Sequence, residues 1–233
     1  MQPQPKSHFT PEEYLALERR AETKSEYWNG QIYALAGASS AHNTIVANLI
    51  ISLGVQLKGR PCTVYPSDMR VKVAQTGLYT YPDVLVLCGK ARFDDLHRDT
   101  LLNPTVLIEV LSPTTETYDR GAKFAFYRSL ESLTDYLLVA QDSPKIEHYA
   151  LQPNDKWLLS DYKGLDAVAQ VASIDCALPL ADVYDKIDWS EAEPEAVSLR
   201  VLRERAVEYG SRPGDPVCSG RDHLSLSTWP KRP

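Results

Sequence analysis

The chain has 233 residues, of which 43% are hydrophobic and 24% are charged, and its formal net charge is −6. This composition suits one substantial globular core, and it argues against a protein that binds nucleic acid over a uniformly basic surface. A local group of cations could still bind a phosphate backbone while the whole chain is acidic, and a carboxylate metal site would itself add negative charge.

The cysteines indicate neither a zinc site nor a disulfide framework. Cys62, Cys88, Cys176 and Cys218 are scattered without a CxxC pair, so we expect reduced thiols. The first residues, MQPQPKSHFT, lack the basic and apolar stretches of a signal peptide, and no apolar run approaches the roughly 18 residues of a membrane span. We therefore expect a cytoplasmic protein that does not contact the membrane.

Two helices are predicted in the N-terminal quarter of the chain. Thr10, Pro11 and Glu13 supply the cap hydroxyl, the first-turn proline and the glutamate of a capping box, which predicts a helix to about Ala21. A second, buried helix is predicted with His42 in its first turn. Its apolar residues repeat at helical spacing: Val46, Leu49, Ile50, Leu53 and Leu57.

The strand pattern predicts a mixed sheet. Asn29-Gly30 between two β-prone runs predicts a two-residue hairpin with Glu26 on its first strand. Apolar or β-branched runs predict four main strands, at residues 63–73, 81–88, 105–111 and 135–140. A further hairpin is predicted at residues 145–151 and 156–162. We predict an α/β (α+β) fold, in which helices flank a mixed β-sheet with extra hairpins.

The C-terminal region changes in composition near residue 210. A charged terminal helix is predicted at residues 191–209, and residues 211–233 are rich in Pro, Gly and Ser without periodicity. We therefore predict one domain over residues 1–210, followed by a disordered tail over residues 211–233.

Two carboxylates stand out because they accompany apolar strands. Asp83 lies at the entrance of the strand at residues 81–88, where a turn aspartate would be the ordinary explanation. Glu109 lies inside a run that is apolar on both faces, and a buried carboxylate needs a cationic partner. A structural salt bridge to Lys or Arg would satisfy Glu109. If the two strands are neighbours, the paired carboxylates would favour a hard cation such as Mg²⁺.

A helical segment at residues 118–130 follows the Glu109 strand. Asp119, Lys123 and Tyr127 fall on one stripe of this segment, so Lys123 could face the carboxylates. An exposed Asp119–Lys123 ion pair explains the same spacing equally well. The predicted buried face of the segment consists of four other residues: Ala122, Ala125, Phe126 and Leu130.

These residues together resemble the Uma2 family. The resemblance runs over roughly residues 9–190 and includes the N-terminal helix, the hairpin and the strand around Asp68. It is carried by an ordered set of motifs: Tyr81-Pro82-Asp83-Val84, Ile108-Glu109-Val110-Leu111-Ser112-Pro113-Thr114, then Asp119, Lys123 and Tyr127, then Asp135-Tyr136-Leu137-Leu138-Val139. The family is assigned to the PD-(D/E)XK, or restriction-endonuclease-like, superfamily of nucleases.

The resemblance implies a metal site and a catalytic lysine. Asp83 and Glu109 would bind Mg²⁺, with Mn²⁺ as a substitute, and the Val110 carbonyl would be a third ligand. Leu111 stands where the superfamily motif places its lysine. In sequences of the Uma2 type the lysine moves to the following helix, so the resemblance transfers its role to Lys123.

Glu26, Asp68 and His42 match further positions of the family and are candidate auxiliary residues. Each has an ordinary structural explanation as well. Glu26 could pair with Lys24 or Arg70, and Asp68 could end its strand. His42 could be a structural histidine beside the helix start rather than a contact to substrate.

The implied activity is metal-assisted hydrolysis of a phosphodiester, with DNA as the expected substrate. The main alternative is a nuclease-derived module that binds nucleic acid or protein without cleaving it, and another phosphate ester is a further alternative. The acidic net charge and Leu111 favour the inactive module, whereas Asp83, Glu109 and Lys123 favour the enzyme. A homodimer is compatible with the sequence, which does not determine the oligomeric state.

Overall fold

The computed structural model describes residues 8–189, and this part of the chain contains every predicted strand. It falls within the first of two units, Met1–Trp189. Three predictions lie outside the described residues: the terminal helix at residues 191–209, the domain end at residue 210 and the tail at residues 211–233. No helix within residues 8–189 is long and apolar enough to cross a bilayer.

Most strands of the described residues lie in two mixed sheets. In chain order the strands are β1 (Ser25–Trp28), β2 (Gln31–Ala34), β3 (Cys62–Pro66), β4 (Arg70–Val73), β5 (Leu78–Thr80), β6 (Val84–Cys88), β7 (Thr100–Leu101), β8 (Val106–Leu111), β9 (Asp135–Ala140), β10 (Lys145–Leu151), β11 (Trp157–Lys163), β12 (Val168–Val171) and β13 (Cys176–Pro179). The larger sheet has the order β11-β10-β9-β8-β6-β3, and the smaller sheet has the order β2-β1-β5-β4-β7. Strands β12 and β13 pair separately. The predicted mixed α/β fold is confirmed.

The first two helices begin where the sequence signals place them. In chain order the helices are α1 (Pro11–Glu18), α2 (Ser40–Gln56), α3 (Glu116–Tyr118), a π-helical turn (Asp119–Lys123), α4 (Phe124–Tyr127), a 3₁₀ helix (Ala172–Ile174) and α5 (Leu180–Val183). The predicted segment at residues 118–130 is thus divided and begins two residues earlier, and the last two elements were not predicted. The capping box of Thr10 and Glu13 is present, and His42 lies in the first turn of α2. Helix α1 ends at Glu18, and Arg19 forms its C-cap. This end lies three residues before the predicted one.

The hairpin at Asn29-Gly30 also follows its sequence signal. Both residues have positive φ, 48° for Asn29 and 80° for Gly30, as a two-residue turn between antiparallel strands requires. Glu26 consequently lies on β1, opposite Tyr33 on β2. The second predicted hairpin, β10–β11, is confirmed with Leu151 paired to Trp157 at its turn.

The six-stranded sheet is covered on both faces. One face packs on α2 and on the β12–β13–α5 region through a buried cluster that includes Leu49, Ile108 and Leu178. The other face packs on the five-stranded sheet and α4 through a second cluster that includes Leu107 and Tyr127. Because β8 and β9 are central and fully buried, charged side chains on them require partners inside the protein.

One predicted strand proved to be two. The run at residues 63–73 is divided by a turn, so that β3 joins the larger sheet and β4 joins the smaller one. Asp68 lies in this turn. Strands β5, β7, β12 and β13 were not predicted, and each is only two to four residues long. Such short strands are defined by their partners rather than by a local pattern.

The expectation of reduced cysteines is wrong for two of them. Cys62 and Cys88 are cross-strand partners in the β3–β6 pair, and they form a disulfide with a Cα–Cα distance of 4.0 Å. Cys176 is buried as a free thiol, and Cys218 lies outside the described residues. The pairing depends on strand register, which cysteine spacing alone does not reveal. The cysteines therefore give no support to the expected cytoplasmic location.

Candidate active site

Strand register brings Asp83 and Glu109 to neighbouring positions. Val84 at the start of β6 pairs with Ile108 on β8 in an antiparallel register, so the residues on either side of this pair, Asp83 and Glu109, lie opposite each other. Asp83 Oδ2 accepts a hydrogen bond of 2.8 Å from the Val110 N–H. The Asp83 side chain therefore bonds to β8 at the point where the β6–β8 ladder ends.

Glu109 is buried, with 3% of its surface exposed. Its Oε1 atom lies 2.9 Å from Lys123 Nζ and accepts a 2.8 Å hydrogen bond from the Tyr127 hydroxyl. Both contacts come from the helical segment that follows β8. Both contacts are made to the same carboxylate oxygen of Glu109.

The helical segment turns its charged stripe inward, contrary to part of the prediction. Asp119 and Lys123 are buried, whereas Ala122 and Ala125, assigned to the buried face from the sequence, are exposed. The residues Asp119–Lys123 form a π-helical turn, and the Tyr136 hydroxyl on β9 donates a 3.0 Å hydrogen bond to the Asp119 carbonyl. Single π-helical turns are frequent at functional sites, where they redirect side chains.

Lys123 joins three carboxylates at this site. Besides Glu109, its Nζ atom lies 3.4 Å from Asp119 Oδ1 and 3.5 Å from Glu26 Oε1. Glu26 comes from the smaller sheet and also accepts a hydrogen bond from the Thr80 hydroxyl. The alternative sequence explanations for Glu26 are wrong. Lys24 and Arg70, its candidate partners, pair with Asp68 and Asp99 instead.

The other two candidate auxiliary residues are placed differently. His42 Nε2 lies 3.1 Å from Asp83 Oδ1, so His42 adjoins the site, and the Ser39 hydroxyl caps its helix. Asp68 is not brought to the site, because it lies in the turn between β3 and β4 and is 83% exposed. It forms a 2.8 Å ion pair with Lys24, as suits a surface turn residue.

Three buried acidic side chains surround one buried lysine at this site. Burial raises the pKa of Glu109 well above its usual value; Lys123 opposes this shift, and Asp119 and Asp83 reinforce it. Burial also raises the pKa of Asp119 against the opposing charge of Lys123. For Lys123, burial lowers the pKa but the surrounding carboxylates outweigh it, so its pKa lies well above the usual value. The lysine therefore stays charged but does not neutralise the carboxylates around it.

The donor chemistry of the site fits a hard divalent cation. Within residues 8–189, no group of three or more His, Cys, Asp or Glu side chains is arranged to hold a metal ion. The expected ligand set, however, contains only two carboxylates and a carbonyl. The N–H and C=O of one strand residue point toward the same neighbouring strand, so the Val110 carbonyl faces the same side of β8 as Asp83. Asp83, Glu109 and Val110 thus offer the oxygen ligands that Mg²⁺ prefers.

Sequence reasoning missed some partners of these residues. Tyr127 lies on the predicted stripe, but its hydrogen bond to Glu109 was not anticipated. Gln141, which follows β9, accepts a 2.9 Å hydrogen bond from the Ser39 hydroxyl at the start of the His42 helix. Thr80 is contributed by β5, one of the strands that were not predicted. Only the i,i+4 spacing of Lys123 and Tyr127 was visible as a signal.

Comparison with known proteins identifies the family of this chain. Residues 11–181 match the model of the Uma2 family, which is described as "Putative restriction endonuclease". Two uncharacterized proteins of Synechocystis sp. are each 37% identical to this chain, one over 159 residues (68% of this chain and 90% of the relative) and the other over 176 residues (76% and 91%). A crystal structure from Anabaena variabilis, titled as a "putative nuclease belonging to DUF820", has a TM-score of 0.62 and covers 76% of this chain and 97% of its own. At 19% identity, that structure shows the fold alone. The chain belongs to the Uma2 family.

Proposed function

We propose that this protein is a Mg²⁺-dependent endonuclease that hydrolyses phosphodiester bonds, with DNA as its substrate. One observation carries the proposal. Glu109, a buried strand residue beside Asp83, contacts a buried lysine that does not compensate the carboxylates around it. A purely structural ion pair has no need for this excess of negative charge, whereas a cation site does.

Asp83, Glu109 and the Val110 carbonyl would hold the cation. When bound, Mg²⁺ supplies Lewis-acid stabilisation of the charge that develops on a phosphoryl oxygen and makes water a stronger acid. Mn²⁺ would serve as a substitute, because it accepts the same oxygen ligands.

Lys123 would act as a fixed positive charge rather than as a general base. Its pKa is raised, so the ammonium holds its proton at neutral pH. From its place at Glu109 Oε1 it can orient that carboxylate and stabilise negative charge in the transition state. His42 would orient Asp83 through the contact to Oδ1.

The alternative function is a nuclease-derived module that binds nucleic acid or protein without cleaving it. Leu111 is the observation that favours it, since this residue occupies the position of the superfamily lysine and packs into an apolar cluster. Lys123 offers a cation from a different element to the same carboxylate. The alternative therefore requires that this lysine have only a structural role.

Nicking of supercoiled plasmid DNA tests the proposal. The wild-type chain should nick the plasmid with Mg²⁺ or Mn²⁺, and EDTA should stop the reaction. Asp83→Ala should abolish nicking, whereas Asp68→Ala, which removes an exposed carboxylate outside the site, should leave it unchanged. Absence of metal-dependent cleavage of plasmid DNA, single-stranded DNA and RNA by the folded wild type would favour the non-cleaving module.

A further inference from the structure

A cavity of about 260 Å³ opens at the carboxyl ends of the parallel strands β8 and β9. Its apolar lining comes from Leu111, Pro113 and Ala140, and its neutral polar lining includes Gln141 and Ser143. The space is large enough for one flat heteroaromatic ring together with part of a sugar. The other lining residues are charged or carry a hydroxyl, so the cavity combines a small apolar surface with many hydrogen-bonding groups, which suits a small organic group that carries both donors and acceptors.

The charged residues of the cavity do not suit a bare phosphate. Arg120 and Glu116 both line it, and they form an ion pair of 2.7 Å between Nε and Oε1. Arg120 and Lys145 also both pair with Glu147, and Asp142 contributes a further carboxylate to the lining. A phosphate would be repelled by these carboxylates. A neutral group that carries both donors and acceptors matches a lining of mixed sign, and the edge of a nucleobase is such a group.

The cavity adjoins the candidate active site along the backbone and through hydrogen bonds. Leu111 follows Glu109 by two residues on β8, a separation of about 6.6 Å along a strand. Gln141 accepts a 2.9 Å hydrogen bond from the hydroxyl of Ser39, which in turn accepts the 3.0 Å hydrogen bond of the His42 N–H. His42 then contacts Asp83. The cavity is therefore about one nucleotide away from the carboxylates.

We infer that this cavity, the base pocket, receives one unpaired nucleobase next to the phosphodiester that is cleaved. The inference rests on the proposed nuclease function and names the part of the substrate that this end of the sheet binds. The three apolar residues of the base pocket, Leu111, Pro113 and Ala140, would contact the ring faces. The Gln141 amide nitrogen, which is not used in the bond to Ser39, would donate to the base edge. A single strand presents such a base directly, and a duplex would have to release it.

Binding of labelled oligonucleotides tests the base pocket independently of cleavage. The probes are single strands of about 12 nucleotides made of thymidine, deoxyadenosine or deoxycytidine, and a strand of the same phosphate count that has abasic sugars throughout. Fluorescence anisotropy with Ca²⁺ in place of Mg²⁺ gives their affinities. The full wild-type chain should bind at least one base-containing strand about tenfold more tightly than the abasic strand, a preference in the range of a single base contact.

Variants connect that preference to the base pocket. Ser143→Trp should fill the cavity from the loop between β9 and β10, and Gln141→Ala should remove an amide from its edge, so both should reduce the preference to about twofold or less. Gln170→Ala, an exposed glutamine on β12, is the matched control and should behave as wild type. Thermal unfolding of each variant verifies that it folds. Loss of preference in Ser143→Trp, if that variant is folded, supports the base pocket even where Gln141→Ala also disturbs Ser39.

The outcomes separate the base pocket from the nuclease activity. Equal wild-type affinity for abasic and base-containing strands, no binding of either, or a preference that Ser143→Trp retains would overturn the base pocket. The base pocket would also be overturned if the protein bound free thymidine, adenosine and cytidine monophosphates but did not bind the oligonucleotides. If Asp83-dependent nicking persists in that case, the nuclease proposal stands alone. A base preference that Ser143→Trp removes, in a chain that never nicks DNA, would support the base pocket and refute the nuclease.

Discussion

Two buried ionic clusters lie on the neighbouring central strands β8 and β9, and they differ in how their charge is balanced. Asp135 begins β9 and is level with Val106 on β8, whereas Glu109 is level with Leu138, three residues further along. Both carboxylates are almost fully buried, with 2% and 3% of their surface exposed. Burial alone therefore does not distinguish a structural carboxylate from a candidate catalytic one.

The Asp135 cluster is internally satisfied. Its Oδ1 lies 2.7 Å from His148 Nε2, and its Oδ2 accepts hydrogen bonds from the hydroxyls of Thr134 and Ser173. Burial raises the pKa of Asp135, but the bonds from His148, Ser173 and Thr134 outweigh it and hold the pKa below its usual value. The pKa of Glu109 shifts in the opposite direction. The comparison shows that uncompensated charge, rather than burial, marks the candidate site.

The largest expected effect concerns the lysine of the unbalanced cluster. Lys123→Met keeps most of the stem but removes the charge, so any cleavage should fall about 100- to 1,000-fold through lost transition-state stabilisation. Plasmid nicking rates measure this. The variant should also unfold more easily at neutral pH, because Glu26, Glu109 and Asp119 lose their shared cation.

Lys163→Met is the matched control for this substitution. Lys163 is 65% exposed on β11, far along the sheet order from β8, and its loss should change neither nicking nor stability. Circular dichroism would verify that Lys123→Met is folded at the assay temperature. Cleavage by that variant at the wild-type rate would remove Lys123 from the mechanism and favour the non-cleaving module.

The balanced cluster should contribute to stability instead of activity. Asp135→Asn should lower the free energy of unfolding by about 3 kcal/mol at pH 7, since it removes a buried carboxylate that accepts hydrogen bonds from Thr134 and Ser173 and contacts His148. Because the folded-state pKa is lowered, this contribution is present above the unfolded-state pKa of about 3.8 and is lost as the pH falls through the folded-state value. The difference from wild type should therefore narrow below about pH 3.8.

Urea denaturation of both proteins between pH 7 and about pH 2 measures this dependence. Asp166→Asn, an exposed aspartate in the loop before β12, should show no difference from wild type at any pH. A difference for Asp135→Asn that is constant down to the acid end would show that shape, rather than charge, is what Asp135 contributes. Nicking activity should survive this substitution where the protein stays folded.

Divalent cations should distinguish the clusters directly. Mg²⁺ should stabilise the wild-type chain against thermal unfolding without any nucleic acid, by about 2.7 kcal/mol at a concentration 100 times the dissociation constant. Asp83→Asn should lose that stabilisation, whereas Asp68→Asn and Asp135→Asn should keep it. Equal stabilisation of all four proteins would indicate ion binding elsewhere and would contradict the metal site.

The sequence predicted the parts of this site that depend on one strand or one turn. Asp83 and Glu109 could be singled out because each accompanies a long apolar strand, and the hairpin that carries Glu26 follows from Asn29-Gly30. Local signals were sufficient there, since turn geometry and hydrophobic runs are encoded over a few residues. The same holds for the capping box of α1.

Contacts between distant elements could not be predicted in the same way. The Glu26–Lys123 pair joins the smaller sheet to a π-helical turn, and the Cys62–Cys88 disulfide depends on the β3–β6 register. The buried face of the helical segment was predicted wrongly for a related reason. The apolar pattern of Ala122 and Ala125 suggested their burial, but the carboxylates of β1 and β8 attract the charged side of the segment instead.

The smallest expected effect belongs to the exposed pair of Lys24 and Asp68, which contrasts with both buried clusters. Their atoms lie 2.8 Å apart, closer than Lys123 lies to Glu109, yet the side chains are 38% and 83% exposed. Water screens such a pair, so Asp68→Asn should cost less than about 1 kcal/mol of unfolding free energy. A double-mutant cycle with Lys24→Met, followed by urea denaturation, isolates the pair from the hydrogen bonds that Lys24 gives to Ser67. A coupling energy above about 1 kcal/mol would contradict the expectation that solvent exposure makes this ion pair weaker than the buried ones.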